Sequence, residues 1–183
     1  TNHDVYKNFA VERAARLKKL QAKIQEGNPG GFFYTSFSDH EPYKNIWQGC
    51  LAFISLCDLA QTFPLHNELS SWKIMIADYV NHYLLLISKR NSFGIIPYGL
   101  YAKQDPGGNR KVGKYWYRYF MQPELDWWVG INSNIASAGV GLIKAANVLK
   151  DQKLKTFAQK QLDWIIGVNP FNSSTILGVG HNH

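Results

Sequence analysis

Leu162-Asp163-Trp164-Ile165-Ile166-Gly167-Val168-Asn169-Pro170, with Ser174 four residues after the proline and Gly178-Val179-Gly180 beyond it, is the stretch that decides how this chain is read. Upstream of the turn, Leu154, Phe157, Ala158, Leu162, Ile165 and Ile166 recur at helical spacing, which predicts a helix over 152–166. Gly167 and Asn169-Pro170 end it, because glycine tolerates a left-handed turn and proline lacks the amide a helix needs.

Working back from that helix, 133–149 reads as another, rich in Ala, Gly and Ser, a composition that lets a neighbouring backbone come close. Residues 91–130 break the helical pattern: Gly94, Pro97, Gly99, Pro106, Gly107, Gly108, Gly113 and Pro123 are spaced among Tyr and Trp. A connection of that length usually carries function. Short strands are expected in it around Ile95 and Tyr115. Ahead of it, Trp72, Ile76, Val80, Tyr83 and Ile87 form one stripe of a helix over 68–90. A helix over 45–62, with Asn45 as its cap, carries Ile46, Trp47, Leu51, Phe53, Ile54, Leu56 and Leu59 around nearly its whole circumference and is expected to be an inner one. The first helix, 4–26, places Val5, Phe9, Leu17, Leu20 and Ile24 on one side, and Gly27-Asn28-Pro29-Gly30-Gly31 ends it. Amphipathic helices alternating with an apolar one predict an all-α layered domain with its long loops at one end.

The bulk numbers narrow the function classes. With 183 residues, 45% hydrophobic and 18% charged, the chain is rich enough in apolar residues to exclude disorder. The net charge of +7 is spread along the chain, so no nucleic-acid partner is expected, and the densest basic stretch, Arg110, Lys111 and Lys114, reads as a solvated loop. No apolar run approaches membrane-spanning length, so no membrane partner is expected either. Thr1–Ala10 is polar and shows no secretion signal. Cys50 and Cys57, seven residues apart on one helix, stand about 10 Å from each other, too far to bridge, and read as buried thiols.

The turn, its serine and its trailing glycines resemble glycoside hydrolase family 9. There a final outer helix ends in Leu/Ile-Gly-x-Asn-Pro, and a serine four residues after the proline leads into Gly-x-Gly. Asn169, Pro170, Ser174, Gly178 and Gly180 all fall in that register. Trp127-Trp128-Val129-Gly130-Ile131-Asn132-Ser133 looks like the strip before an inner helix of the same family. The resemblance implies an (α/α)6 barrel of helical hairpins, of which residues 1–183, as one partial catalytic domain, would form about half. It also implies inverting hydrolysis of β-1,4-linked glucan or a related oligosaccharide, no cofactor, and a secreted or periplasmic setting. Its implied partners are the saccharide substrate and either the remainder of the module or a second copy, which would cover the inner helices.

Inversion needs a carboxylate base and a carboxylic acid about 6.5–9.5 Å apart. The family's base lies in an Asp-Ala-Gly-Asp segment and its acid beyond a His-His-Arg motif. Neither occurs here; Asp105-Pro106-Gly107-Gly108 reads as a turn, and Thr175 replaces the family's aromatic residue after Ser174. The catalytic groups are therefore expected outside these 183 residues, and none is assigned. The substrate-binding candidates are Trp116, Tyr117, Trp127, Trp128, His181 and His183. Pyranose C–H faces rest on aromatic rings, and period-two alternation turns Tyr115, Tyr117 and Tyr119 one way and Trp116 and Arg118 the other. The two histidines flank Asn182 just after the glycine turn; a metal would need a third ligand, and none is identified. Asp126 suits a sugar hydroxyl or a helix cap, the Asp39-His40-Glu41 cluster suits a surface loop, and Asp163 and Trp164 suit packing. Two other readings stay open: a non-catalytic carbohydrate-binding relative, and a helical interaction or nucleic-acid-binding domain.

Overall fold

A computed structural model describes residues 2–44, 49–104, 108–121 and 130–183. Its order is α1 (Asn2–Leu20), α2 (Leu51–Thr62), α3 (Leu69–Tyr79), a π-helical turn (Val80–Leu84) running directly into α4 (Leu85–Ser88), β1 (Gly99–Tyr101), β2 (Arg110–Val112), β3 (Tyr115–Arg118), α5 (Asn132–Leu149) and α6 (Lys153–Ile165). The all-α expectation is thus corrected by a small antiparallel sheet, ordered β1-β3-β2, inside the aromatic connection. Leu100 faces Tyr117, and Lys111 faces Trp116. One strand forms at Tyr115 as expected. The other expected strand, around Ile95, forms a few residues later at Gly99–Tyr101.

The first helix also ends earlier than its periodicity predicts, at Leu20 instead of 26. The chain leaves the helix to pair with residues 31–34: Ala22 N donates to Phe32 O at 2.8 Å, and Tyr34 N donates to Leu20 O at 2.8 Å. Gln21 Nε2 secures the exit by donating to Gly31 O at 2.7 Å and Met75 O at 2.8 Å. Those backbone pairs outweigh the helical pattern, and Ile24 is left 44% exposed. Val5 and Phe9 are also exposed, so the N-terminal half of the expected stripe does not pack the core. The stripe of α3, the π turn and α4 does: Trp72, Ile76, Val80, Tyr83 and Ile87 are all buried. Within the π turn, His82 O accepts from Gly30 N at 3.0 Å, which docks the connection after α1 onto this helix.

Helices α2 and α5 lie at the centre, α2 against α1, α3 and α5, and α5 against α2, α3 and α6. Their contacts run in step along both chains. Gly49 N donates to Asn134 Oδ1 and Cys50 N to Ser137 Oγ near the starts. Asp58 pairs with Lys144, and Gln61 Nε2 donates to Lys144 O, farther along. The two helices therefore run parallel. Close approach is possible because Gly141 has no side chain; a Cβ there would stand 2.7 Å from the Phe53 ring. Residues 45–48, which include the expected cap Asn45, lie outside the described residues. Both Cys50 and Cys57 are free and buried. On α6 the buried side is Leu154, Ala158, Gln161, Trp164 and Ile165, while Leu162 and Ile166 of the expected stripe are about 40% exposed. Gln161 is buried because its amide accepts from Ile96 N at 3.0 Å and donates to Gly94 O at 3.0 Å, tying the connection after α4 to α6.

Candidate functional site

Parallel α2 and α5, each preceded by a long connection, bring those connections to one end of the molecule. The hydrogen bonds between them show it. Lys114 N donates to Asn28 Oδ1 at 2.8 Å, the hydroxyls of Tyr34 and Tyr115 lie 3.2 Å apart, and Ala102 N donates to Glu41 Oε2 at 3.4 Å. The C-terminal connection joins them at the start of α5. Asn132 Nδ2 donates to Thr175 O at 3.3 Å, and Thr175 Oγ1 returns a bond to Asn132 Oδ1 at 3.1 Å. The short connections, 63–68 and 150–152, fall at the other end.

The Asn-Pro turn is built from its own side chains. Asn169 is 7% exposed; its Nδ2 donates to Trp164 O at 2.9 Å and Ser173 O at 2.7 Å, while its Oδ1 accepts from Phe171 N at 3.0 Å. One amide thereby closes α6 and shapes the loop after it. The chain then folds back: Ser174 N donates to His181 O at 2.6 Å, and His181 N donates to Ile166 O at 3.1 Å. Gly180 makes this return possible, with φ at +88° and Ile166 O 2.5 Å from where a Cβ would be. Asn182 is pinned by its Nδ2 donating to Asn172 O, and His181 and His183 on either side of it stand exposed. His181 lines a shallow groove of about 590 Å³ with Phe93, Val168 and Asn172.

The sheet sorts the aromatic block as the alternation predicts: Tyr115, Tyr117 and Tyr119 are buried, and Trp116 and Arg118 are half-buried. Tyr117, 4% exposed, packs edge-on against Tyr119 with ring centres 5.4 Å apart. Of the pair Trp116 and Tyr117, only Trp116 therefore presents its ring outward, with Lys111 Nζ 5.8 Å from the ring centre. Trp127, Trp128 and Asp126 lie outside the described residues, as does the Asp105-Pro106-Gly107 turn. Asp39 and Glu41 belong to an exposed loop in which Asp39 Oδ1 accepts from Glu41 N at 3.1 Å. Trp164 packs between Phe93 and Phe120. Among the described residues no three His, Cys, Asp or Glu side chains gather closely enough to hold a metal ion.

Several residues at this end gave no signal in the sequence. A water-sized hollow at the starts of α2 and α5 is bordered by Tyr43, Lys44, Gly49, Tyr98 and Asn134. Lys44 Nζ stands 4.5 Å over the Tyr101 ring, and burial pushes the Tyr101 hydroxyl up to about 12. Asn134 is buried on an otherwise small and apolar face of α5. Compared with known proteins, the chain matches no curated protein. It does match the family described as Glycosyl hydrolase family 9, over residues 1–183. With that match extending from the first residue to the last, over a helical scaffold whose long connections meet at one end, the chain belongs to glycosyl hydrolase family 9.

Proposed function

We propose that this chain is part of a catalytic module that hydrolyses β-1,4-linked glucan or a related oligosaccharide with inversion, in a secreted or periplasmic setting. The family match over the whole chain carries the reading. The end where the long connections meet is the glycan groove in this proposal. Trp116 there supplies an outward ring for stacking, His181 and His183 line the rim, and Trp127 and Trp128, outside the described residues, are kept as substrate-binding candidates on the sequence alone. Tyr117 serves as the floor beneath Trp116. The base and the acid come from outside these 183 residues. In support, Asp39 and Glu41 sit two residues apart in one loop and are engaged with backbone amides, so they do not flank a bond from opposite sides.

Helices α2 and α5 leave Leu51, Val140 and Ile143 more than 40% exposed. Further helices of the module, or a second copy, cover them in this reading, completing an (α/α)6 barrel. No described helix is long and apolar enough to cross a membrane.

The test is turnover of cello-oligosaccharides by the whole protein, followed by proton NMR of the new reducing end. The α-anomer should appear first. First appearance of the β-anomer would overturn inversion. Quenching of tryptophan fluorescence with no reducing sugar released would replace the hydrolase with a carbohydrate-binding relative.

A further inference from the structure

A second hollow, of about 310 Å³, opens between the end of α1, the connection after it and the β2–β3 turn. Its size is at the lower limit of the roughly 300–1,000 Å³ typical of small-ligand clefts. Lys19, Lys23, Lys114, Tyr34, Tyr115 and Phe37 line it, and none of its lining residues is Asp or Glu.

Part of this polar lining is held in place, while Lys19 and Lys23 are exposed. Lys114 N is fixed by Asn28 Oδ1, and its Nζ lies 3.3 Å from Gln25 Oε1 and 5.3 Å from the centre of the Tyr115 ring. The Tyr34 and Tyr115 hydroxyls share one hydrogen bond, which leaves one hydroxyl proton to donate outward. Burial, and then the bond to Tyr34, push the Tyr115 hydroxyl well up, so it remains a donor at neutral pH. Phe37 is half-exposed, and the Arg16 guanidinium stands 5.4 Å over its ring, adding a cation at the rim. His40 lies edge-on to Tyr34. Two carboxylates of the neighbouring loop are engaged with backbone, Asp39 with Glu41 N and Glu41 with Ala102 N, and the Glu41 charge also acts on the Tyr115 hydroxyl.

We infer that this hollow binds a sugar unit carrying an anionic group, a carboxylate or a phosphate. The ammonium groups of Lys19, Lys23 and Lys114 surround the charge, and Phe37 and Tyr34 lie against the ring. The anionic half of the inference stands on the lining. The sugar half rests on the reading of this end as a glycan groove.

Calorimetric titration of the whole protein with glucuronate, glucose 6-phosphate, glucose and inorganic phosphate tests it, at low salt and at about 0.3 M salt. The two acidic sugars should bind about tenfold or more tighter than glucose at low salt, with the preference shrinking at high salt. Lys23→Gln and Lys114→Gln should each weaken them about fivefold, while Lys155→Gln, the same charge loss on α6, should leave them unchanged. Circular dichroism checks that each variant is folded. Equal binding of glucuronate and glucose overturns the inference, as does an equal loss from Lys155→Gln. Inorganic phosphate binding as tightly as either sugar overturns the sugar half. A parallel titration with neutral cello-oligosaccharide separates the two readings. If it binds and the acidic sugars do not, only this site is lost; if it does not bind, the groove is lost as well.

Discussion

Asn169 shows why an Asn-Pro turn closes α6 where a plain glycine stop would not suffice. Its amide is both donor and acceptor, and it satisfies Trp164 O, Ser173 O and Phe171 N at once. Asn169→Ala would take a donor from the partly buried Ser173 O and leave the buried Trp164 O to its longer bond from Gly167 N at 3.4 Å, and should cost about 1–3 kcal/mol in urea denaturation. Asn169→Asp should cost a similar amount, because a carboxylate cannot donate. A loss below about 0.5 kcal/mol in both would show that the turn is held by something else. Trp116 belongs to the same scale but to function. In the proposed groove, Trp116→Ala should raise KM for cello-oligosaccharide up to about tenfold with kcat little changed, since ring stacking contributes about 0.5–1.5 kcal/mol. An unchanged KM would remove Trp116 from the groove. The turn was legible residue by residue, because each of its side chains acts on backbone a few positions away. The burial of Tyr117 was legible only as one of two alternatives: alternation gives two faces, and nothing local says which meets the core.

For the elements, packing decides between competing local preferences. The α1 pattern runs on past Leu20, yet the backbone pairs from Leu20 and Ala22 to residues 31–34 end it. The sheet forms in a connection read as mostly irregular, because Tyr115–Arg118 finds partners on both sides that lie 15 or more residues away or across a tight turn. The closest helix contact is also the most sensitive to added volume. Gly141→Ala would push a methyl group into the Phe53 ring and should destabilise the protein by about 1–3 kcal/mol in thermal or urea unfolding. Phe53→Ala, which empties the same contact, should cost about 3–5 kcal/mol. If Gly141→Ala is neutral, α2 and α5 are not held as closely as their parallel contacts require.

Over the whole molecule, buried thiols and phenols set an alkaline limit. Burial pushes Cys50 from its usual 9.0 up to about 11 and Cys57 up to about 12, the latter with a further push from Asp58. Burial likewise pushes Tyr101 and Tyr119 from 10.0 up to about 12. Each group is held neutral by the fold, so its contribution is complete below its unfolded value and is lost as pH climbs toward the folded one. Stability measured by urea denaturation should therefore be level up to about pH 9 and fall between pH 9 and 12. Ellman's reagent at pH 8 should label both cysteines only as fast as the protein opens; rapid labelling would show that the core at α2 is not closed. The sequence by itself determined the helical character, the hard stop after α6 and the family, because hydrophobic period and turn chemistry act over a few residues and a register of Asn, Pro, Ser and Gly is written in the chain. Tertiary structure alone decided where α1 stops, which aromatic rings face outward, and that Lys19, Lys23, Tyr34 and Lys114 share one hollow. Those outcomes depend on backbone hydrogen bonds and charges brought together from distant parts of the chain, and no local pattern encodes which partner is met.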